Sequence, residues 1–179
     1  KRLFFENGYV EIGMDHFALK TDTLYKSLLS KQIHRNFMGY TAGKTKLMIG
    51  LGMSSISDSW YGFAQNEKTV EGYAETVNKG VIPIFRGHLL TETDLIIRKH
   101  ILNLMCNLKT EWDLGLPLSI KKQIIRRLQE MVADQLIEVT DTQVIVKEEG
   151  RMYVRNICMA FDLKLIENKP NTRLFSMTI

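Results

Sequence analysis

Four groupings in this chain carry residue types that could do chemistry. Asp15-His16 sets a carboxylate beside an imidazole at the end of the β-rich run 9–14, and the ends of strands are where α/β barrels keep reactive groups. Neighbouring strand residues point to opposite faces, so the two are not expected to share a hydrogen bond. With no third partner at triad spacing, Asp15 is either a structural cap or a ligand contact. Gly50-x-Gly52-x-x-Ser55 half-matches a dinucleotide fingerprint, but its third glycine is Ser55 and no helix pattern follows to offer free N–H groups to a pyrophosphate. Small residues beside Ile56 would equally let a flat heterocycle or a sulfonium side chain lie on strand backbone, or serve ordinary sheet packing. His34, Arg35, Asn36 and Tyr40 crowd polar groups into one segment, expected to be a loop in contact with a ligand. Lys121, Lys122, Arg126 and Arg127 lie on a helical pattern followed by two strands, the order of a winged helix that could neutralise phosphates. Glu130, Asp134, Glu138, Asp141, Glu148 and Glu149 stand close by and would oppose a phosphate backbone.

Metal chemistry has little to work with. Cys106 and Cys158 stand far apart, outside any C-x-x-C spacing and in apolar helical surroundings, so buried thiols are expected rather than a zinc site or a disulfide. The nine methionines show no metal-binding spacing and read as fillers of cores and interfaces. Composition is that of a globular protein, 45% apolar and 25% charged, and the net charge of +4 with a pI near 9.0 permits an anionic ligand without choosing among them. No apolar run approaches the roughly eighteen residues of a membrane span, and no secretory signal pattern opens the chain. A cytoplasmic location without membrane contact is the expectation.

These groups need elements to hold them. Residues 3–8 read as the end of a helix with Gly8 as its left-handed cap, feeding the strand at 9–14; one such αβ half-unit cannot bury its own sheet, which points to a start in mid-domain. A short helix at 23–29, a strand over 46–57, a helix at 67–79 and an extended run at 81–90 follow. Beyond a boundary near residue 90 the pattern turns helical. Thr91 and Asp94 fit a capping box, ahead of an apolar face of Ile97, Ile101, Leu104, Met105 and Leu108. Ser119 is expected to cap a second helix striped by Ile120, Ile124, Leu128, Met131 and Val132. A β-hairpin at 136–147 and a last helix carrying Tyr153, Ile157, Phe161 and Leu165 complete it, with Pro170 as the stop. The expected class is α+β: the tail of a partial (β/α) barrel over 1–90, then a helical, winged-helix-like domain with a β-hairpin over 91–179.

With these residues laid out, the chain resembles the C-terminal part of the oxygen-independent coproporphyrinogen III oxidases, a family of radical S-adenosylmethionine enzymes. The resemblance rests on Ile12-Gly13-Met14-Asp15-His16-Phe17-Ala18, His34-Arg35-Asn36-Phe37-Met38-Gly39-Tyr40, residues 50–57, Ala64-Gln65-Asn66, Phe85-Arg86-Gly87, Arg155-Asn156-Ile157-Cys158-Met159 and the terminal Phe175-Ser176-Met177-Thr178-Ile179. The first two stretches also separate it from related haem-chaperone-like proteins. The resemblance implies oxidative decarboxylation of coproporphyrinogen III to protoporphyrinogen IX, with S-adenosylmethionine and a [4Fe-4S] cluster held by a C-x-x-x-C-x-x-C run. That run is absent from this chain, so the chain alone is expected to be inactive and its cluster ligands to lie elsewhere in the parent. The resemblance further implies a cofactor contact at Ile56 and another at Met38, which stands where the family commonly has glutamine. From charge His34 and Arg35 are the candidates to face the substrate carboxylates, and Asp15 is a further candidate for substrate contact.

Two readings of other classes compete: a winged-helix module binding nucleic acid or a protein, and a porphyrin or haem carrier without catalysis. Nucleic acid is not the expected partner, and the chain's sheet leaves self-association open.

Overall fold

The computed structural model describes residues 1–164. They form two compact units, one of residues 1–12 and 16–96, the other of residues 97 onward together with Gly13–Asp15.

In the first unit, α1 (Arg2–Glu6) ends at Asn7, and Gly8 at φ +80° supplies the left-handed step into β1 (Tyr9–Gly13). β1 pairs with β2 (His16–Leu19) across a two-residue turn in which Met14 takes φ 52°. Phe4 stacks on Phe17 at 4.5 Å and meets Tyr9 edge-on at 5.5 Å, fastening α1 to this hairpin. α2 (Thr23–Leu29) begins where the Asp22 carboxylate accepts from the Leu24 N–H at 2.7 Å. The segment expected as a loop is a second hairpin, β3 (His34–Asn36) with β4 (Gly39–Thr41). Its turn, Phe37-Met38, is closed by Asn36 Oδ1 accepting from the Met38 N–H at 2.9 Å, a side-chain device that hydrophobic periodicity does not reveal.

A four-stranded antiparallel sheet follows in the order β5-β6-β7-β8: β5 (Leu47–Met48), β6 (Ile56–Ser59), β7 (Gly62–Asn66) and β8 (Ile84–Leu89). The strand expected over 46–57 is two strands that pair with each other. Asn66, 5% exposed, donates from Nδ2 to the Gly50 and Gly52 carbonyls at 3.0 Å each, and Gly52 (φ +98°) and Ser54 (φ 59°) turn the chain back. Helix α3 (Val70–Asn78), capped by Thr69 Oγ1 accepting from the Gly72 N–H, connects β7 to β8.

Helix α4 (Glu92–Asn107) carries the chain into the second unit. The capping box forms as read: Thr91 N–H donates to Asp94 Oδ2 at 3.0 Å and Asp94 N–H donates to Thr91 Oγ1 at 3.2 Å. After β9 (Lys109–Glu111) come α5 (Leu118–Ala133), β10 (Ile137–Val139) and β11 (Gln143–Val146), then a single 3₁₀ turn (Arg151–Tyr153) and α6 (Val154–Met159). The expected hairpin is the β10-β11 part of a three-stranded antiparallel sheet ordered β10-β11-β9. α5 starts at Leu118 with Pro117 in the N-cap position, so Ser119 lies inside the first turn instead of capping it. Leu104, Ile124, Leu128, Ile137, Val144, Ile157 and Phe161 form the fully buried core of this unit. Phe161 follows α6 and is not within it, while Leu165 and Pro170 fall outside the described residues.

Candidate ligand-binding site

In the first unit, three strands converge on Tyr40. Arg35 and Tyr40 are register partners across β3–β4, and the Arg35 guanidinium carbon lies 4.6 Å from the Tyr40 ring centroid. His16, at the start of β2, meets the same ring at 5.2 Å with the planes at 83°. The imidazole can come this close because position 39 is glycine: a Cβ there would strike His16 Nε2, and Gly39 itself adopts φ +138°. Tyr40 is buried, yet two nitrogens around it, His16 Nδ1 and Arg35 Nη1, are buried without a hydrogen-bond partner. His34, next to Arg35 on β3, alternates to the opposite face of the hairpin and pairs with Thr41. Asp15 is exposed in the turn before β2. The residue that joins Arg35 at the tyrosine is therefore His16, which the sequence presents only as the neighbour of Asp15.

Ile56 sits on the four-stranded sheet in a cross-strand row with Gln65 and Arg86. Arg86 Nε donates to Gln65 Oε1 at 2.9 Å, and Gln65 Nε2 donates to the Ser54 carbonyl at 3.1 Å. Gly50 packs on the Ile56 backbone, where a Cβ would fall 2.8–2.9 Å from the Ile56 N, C and O atoms. The Ile56 side chain is half-buried and apolar. Met38, 74% exposed at the tip of the β3–β4 turn, has its N–H engaged by Asn36 and offers a polarisable thioether without a donor.

Neither cysteine resembles a cluster ligand. Cys106 and Cys158 are both buried in the second unit, Cys158 Sγ donating to the Ile101 carbonyl at 3.8 Å. Among the described residues no group of three or more His, Cys, Asp or Glu side chains could hold a metal. Residues 1–164 do not fit an iron–sulfur cluster.

The cations of α5 are partly engaged within the fold. Lys121 Nζ donates to the Asp141 carbonyl at 3.0 Å and lies 5.0 Å from the Trp112 ring centroid. Arg127 Nη1 donates to the Ala160 carbonyl at 3.2 Å, a partly buried bond that closes the end of α6. Arg127→Ala should lower the stability of this unit by about 1.5–3 kcal/mol, the scale for a hydrogen bond from a charged donor. Denaturant midpoints of the two proteins check this; an unchanged midpoint would show that the contact is unimportant.

Comparison with known proteins finds relatives of one designation. A matching solved structure is the Escherichia coli coproporphyrinogen III oxidase HemN, described as a radical SAM enzyme, with a TM-score of 0.82 and 34% identity over 92% of this chain and 39% of that one. Matching curated relatives carry the same designation. They include the oxygen-independent coproporphyrinogen III oxidases of Synechocystis, 35% identical over 97% of this chain and 39% of the relative, and of Escherichia coli K12, 34% identical over the same shares. That of Helicobacter pylori 26695 is 31% identical over 96% and 38%. The chain spans about two-fifths of the length of these relatives, 39% for the first two, and corresponds to their C-terminal portion. No protein-family model matches it. Among the described residues no helix is long and apolar enough to cross a membrane.

Proposed function

We propose that this chain is the C-terminal part of an oxygen-independent coproporphyrinogen III oxidase, which oxidatively decarboxylates coproporphyrinogen III to protoporphyrinogen IX in haem biosynthesis. The observation that carries the reading is identity of 34–35% sustained over 97% of the chain to relatives of that name. In this reading residues 1–90 are the tail of the radical S-adenosylmethionine barrel with its sheet extension, and 91–179 are a winged-helix-like domain. The order α5, β10, β11, with β9 completing the sheet, supports the second description.

The parent would use S-adenosylmethionine and a [4Fe-4S] cluster, which together supply the one-electron chemistry that removes hydrogen from a propionate chain. The described residues do not hold the cluster, so this chain's part is binding and shaping. Ile56 gives the cofactor an apolar contact, and Met38 adds at most a thioether contact at the hairpin tip. Arg35 serves the substrate, whose propionates need cationic donors; His34, its neighbour on β3, and Asp15, in the turn before β2, are further candidates. Many large apolar side chains of the first unit are exposed, Ile82, Ile84, Phe85 and Leu89 among them, which suits a surface that other parts of the parent cover in the cytoplasm.

The test is anaerobic growth of a haem-requiring strain that lacks this oxidase, carrying the full protein that contains the sequence. Restored growth without added haem is expected; growth only with haem would refute the assignment.

A further inference from the structure

We propose that His16 joins Arg35 in a carboxylate-binding site built around Tyr40, which takes a propionate of the substrate. The proposal rests on the functional reading above for the identity of the ligand, and on the structure for the site. A guanidinium carries five N–H donors and no acceptor, so each buried N–H needs an acceptor from elsewhere. Arg86, Arg127 and Arg151 each donate to an oxygen of the chain: Gln65 Oε1, the Ala160 carbonyl and the Glu148 carboxylate. Arg35 instead faces the Tyr40 ring, with Nη1 buried and unpartnered. Several carboxylates of the first unit are engaged with other cations, Glu6 with Arg2, Glu11 with Lys1, Glu75 with Lys79 and Asp94 with His88. A buried donor on a charged group without an acceptor is costly, and His16 Nδ1 is a second buried, unpartnered nitrogen beside the same ring.

The surroundings are built to hold this pair. The Arg35–Tyr40 register fixes the guanidinium over the ring, and Gly39 leaves the space that the imidazole fills. An anion that accepts from both side chains would remove both vacancies. A carboxylate does so, with two oxygens and a charge opposite to Arg35. In coproporphyrinogen III the only anionic groups are its propionates. Arg35 and His16 are both half-buried, so the unpartnered nitrogens lie on side chains that still reach the surface. His16 is here a binding residue.

The test is equilibrium binding by the full protein that carries this sequence, followed by porphyrin fluorescence. The probes are coproporphyrin III, the stable oxidised form of the substrate, and its tetramethyl ester, which lacks carboxylates. Arg35→Met should weaken binding of the acid by about tenfold, the scale of one lost charge-assisted bond, and leave the ester unchanged. Arg35→Lys should fall between the two. His16→Gln and Gly39→Ala should weaken the acid alike, the latter by expelling the imidazole. Circular dichroism and the unchanged ester affinity report that each variant is folded.

Acid binding that is insensitive to Arg35 and His16, or acid and ester weakened equally, would overturn the site while leaving the functional reading intact. If neither porphyrin binds but succinate shifts the side-chain ¹⁵N resonances of Arg35 and His16, the site stands and the functional reading fails. No porphyrin binding and no response to succinate would overturn the site.

Discussion

Replacing Phe161 with alanine should destabilise the second unit by about 3–5 kcal/mol, the range for deleting a fully buried aromatic side chain. Phe161 is 0% exposed and is the largest wholly buried side chain described. Its ring lies 6.0 Å from Trp112, nearly parallel at 24°, and 5.7 Å from His100. The substitution removes the buried apolar surface of Phe161 and its two ring pairs together, and leaves a cavity that His100, on α4, and Trp112, whose Nε1 donates to the Thr140 carbonyl, fill incompletely. Ala160, the acceptor for Arg127, is its neighbour, so the cap loosens with it. Guanidinium unfolding followed by Trp112 fluorescence in a Trp60→Phe background measures the effect. A loss under 1 kcal/mol would mean that the cluster does not hold this unit.

Acidification from pH 7 to pH 5 should destabilise the same unit, and His100→Gln should flatten that dependence. His100 is 1% exposed on α4, with Nδ1 2.8 Å from Thr110 Oγ1 and Nε2 buried without a partner. Burial holds its pKa below the usual 6.5, with Lys99 acting the same way and the Asp113 carboxylate opposing them. A histidine with a lowered folded pKa contributes fully above the unfolded value. As the pH falls below about 6.5 the unfolded chain binds a proton that the folded chain resists, so stability declines and levels off only below the folded pKa. Asp113, held below the ordinary carboxylate range chiefly by its hydrogen bond from Lys99, adds a loss at lower pH, in a separate window. Denaturation midpoints at pH 7.5, 6.5, 5.5 and 5.0 give the slope. A midpoint independent of pH in the wild type would show that His100 is not buried neutral.

The long helices of the second unit were legible because their stabilising contacts repeat at helical spacing: Ile97 and Leu104 on α4, and Ile124 and Leu128 on α5, are buried as their stripes indicate. The Thr91–Asp94 box was legible because both partners lie within four residues. β9 was not, since three residues with one buried side chain, Thr110, have too little alternation to register as a strand. The division of 46–57 depends on Asn66, whose amide bonds back across more than a dozen residues. His100 falls at helical spacing between Ile97 and Leu104, on the face that α4 buries, but its polar ring interrupts the apolar stripe, so its burial was not legible in the pattern.

The candidate site was half legible for the same reason. Arg35 stands out by charge, and Ile56 and Met38 by resemblance. The pairing of Arg35 with Tyr40 needs the β3–β4 register, which Asn36 sets through a turn that looks like loop sequence. The approach of His16 to Tyr40 joins segments more than twenty residues apart and depends on a glycine whose role appears only when a Cβ is placed on it. Residue chemistry named the participants; tertiary geometry chose His16 over His34.

The most direct measurement of the central claim is an anaerobic assay of the full protein carrying this sequence, supplied with its cluster, S-adenosylmethionine, a reductant and coproporphyrinogen III. The account predicts protoporphyrinogen IX with two molecules of carbon dioxide for each coproporphyrinogen III consumed. Protein with an intact cluster that cleaves S-adenosylmethionine yet leaves coproporphyrinogen III unchanged would contradict it.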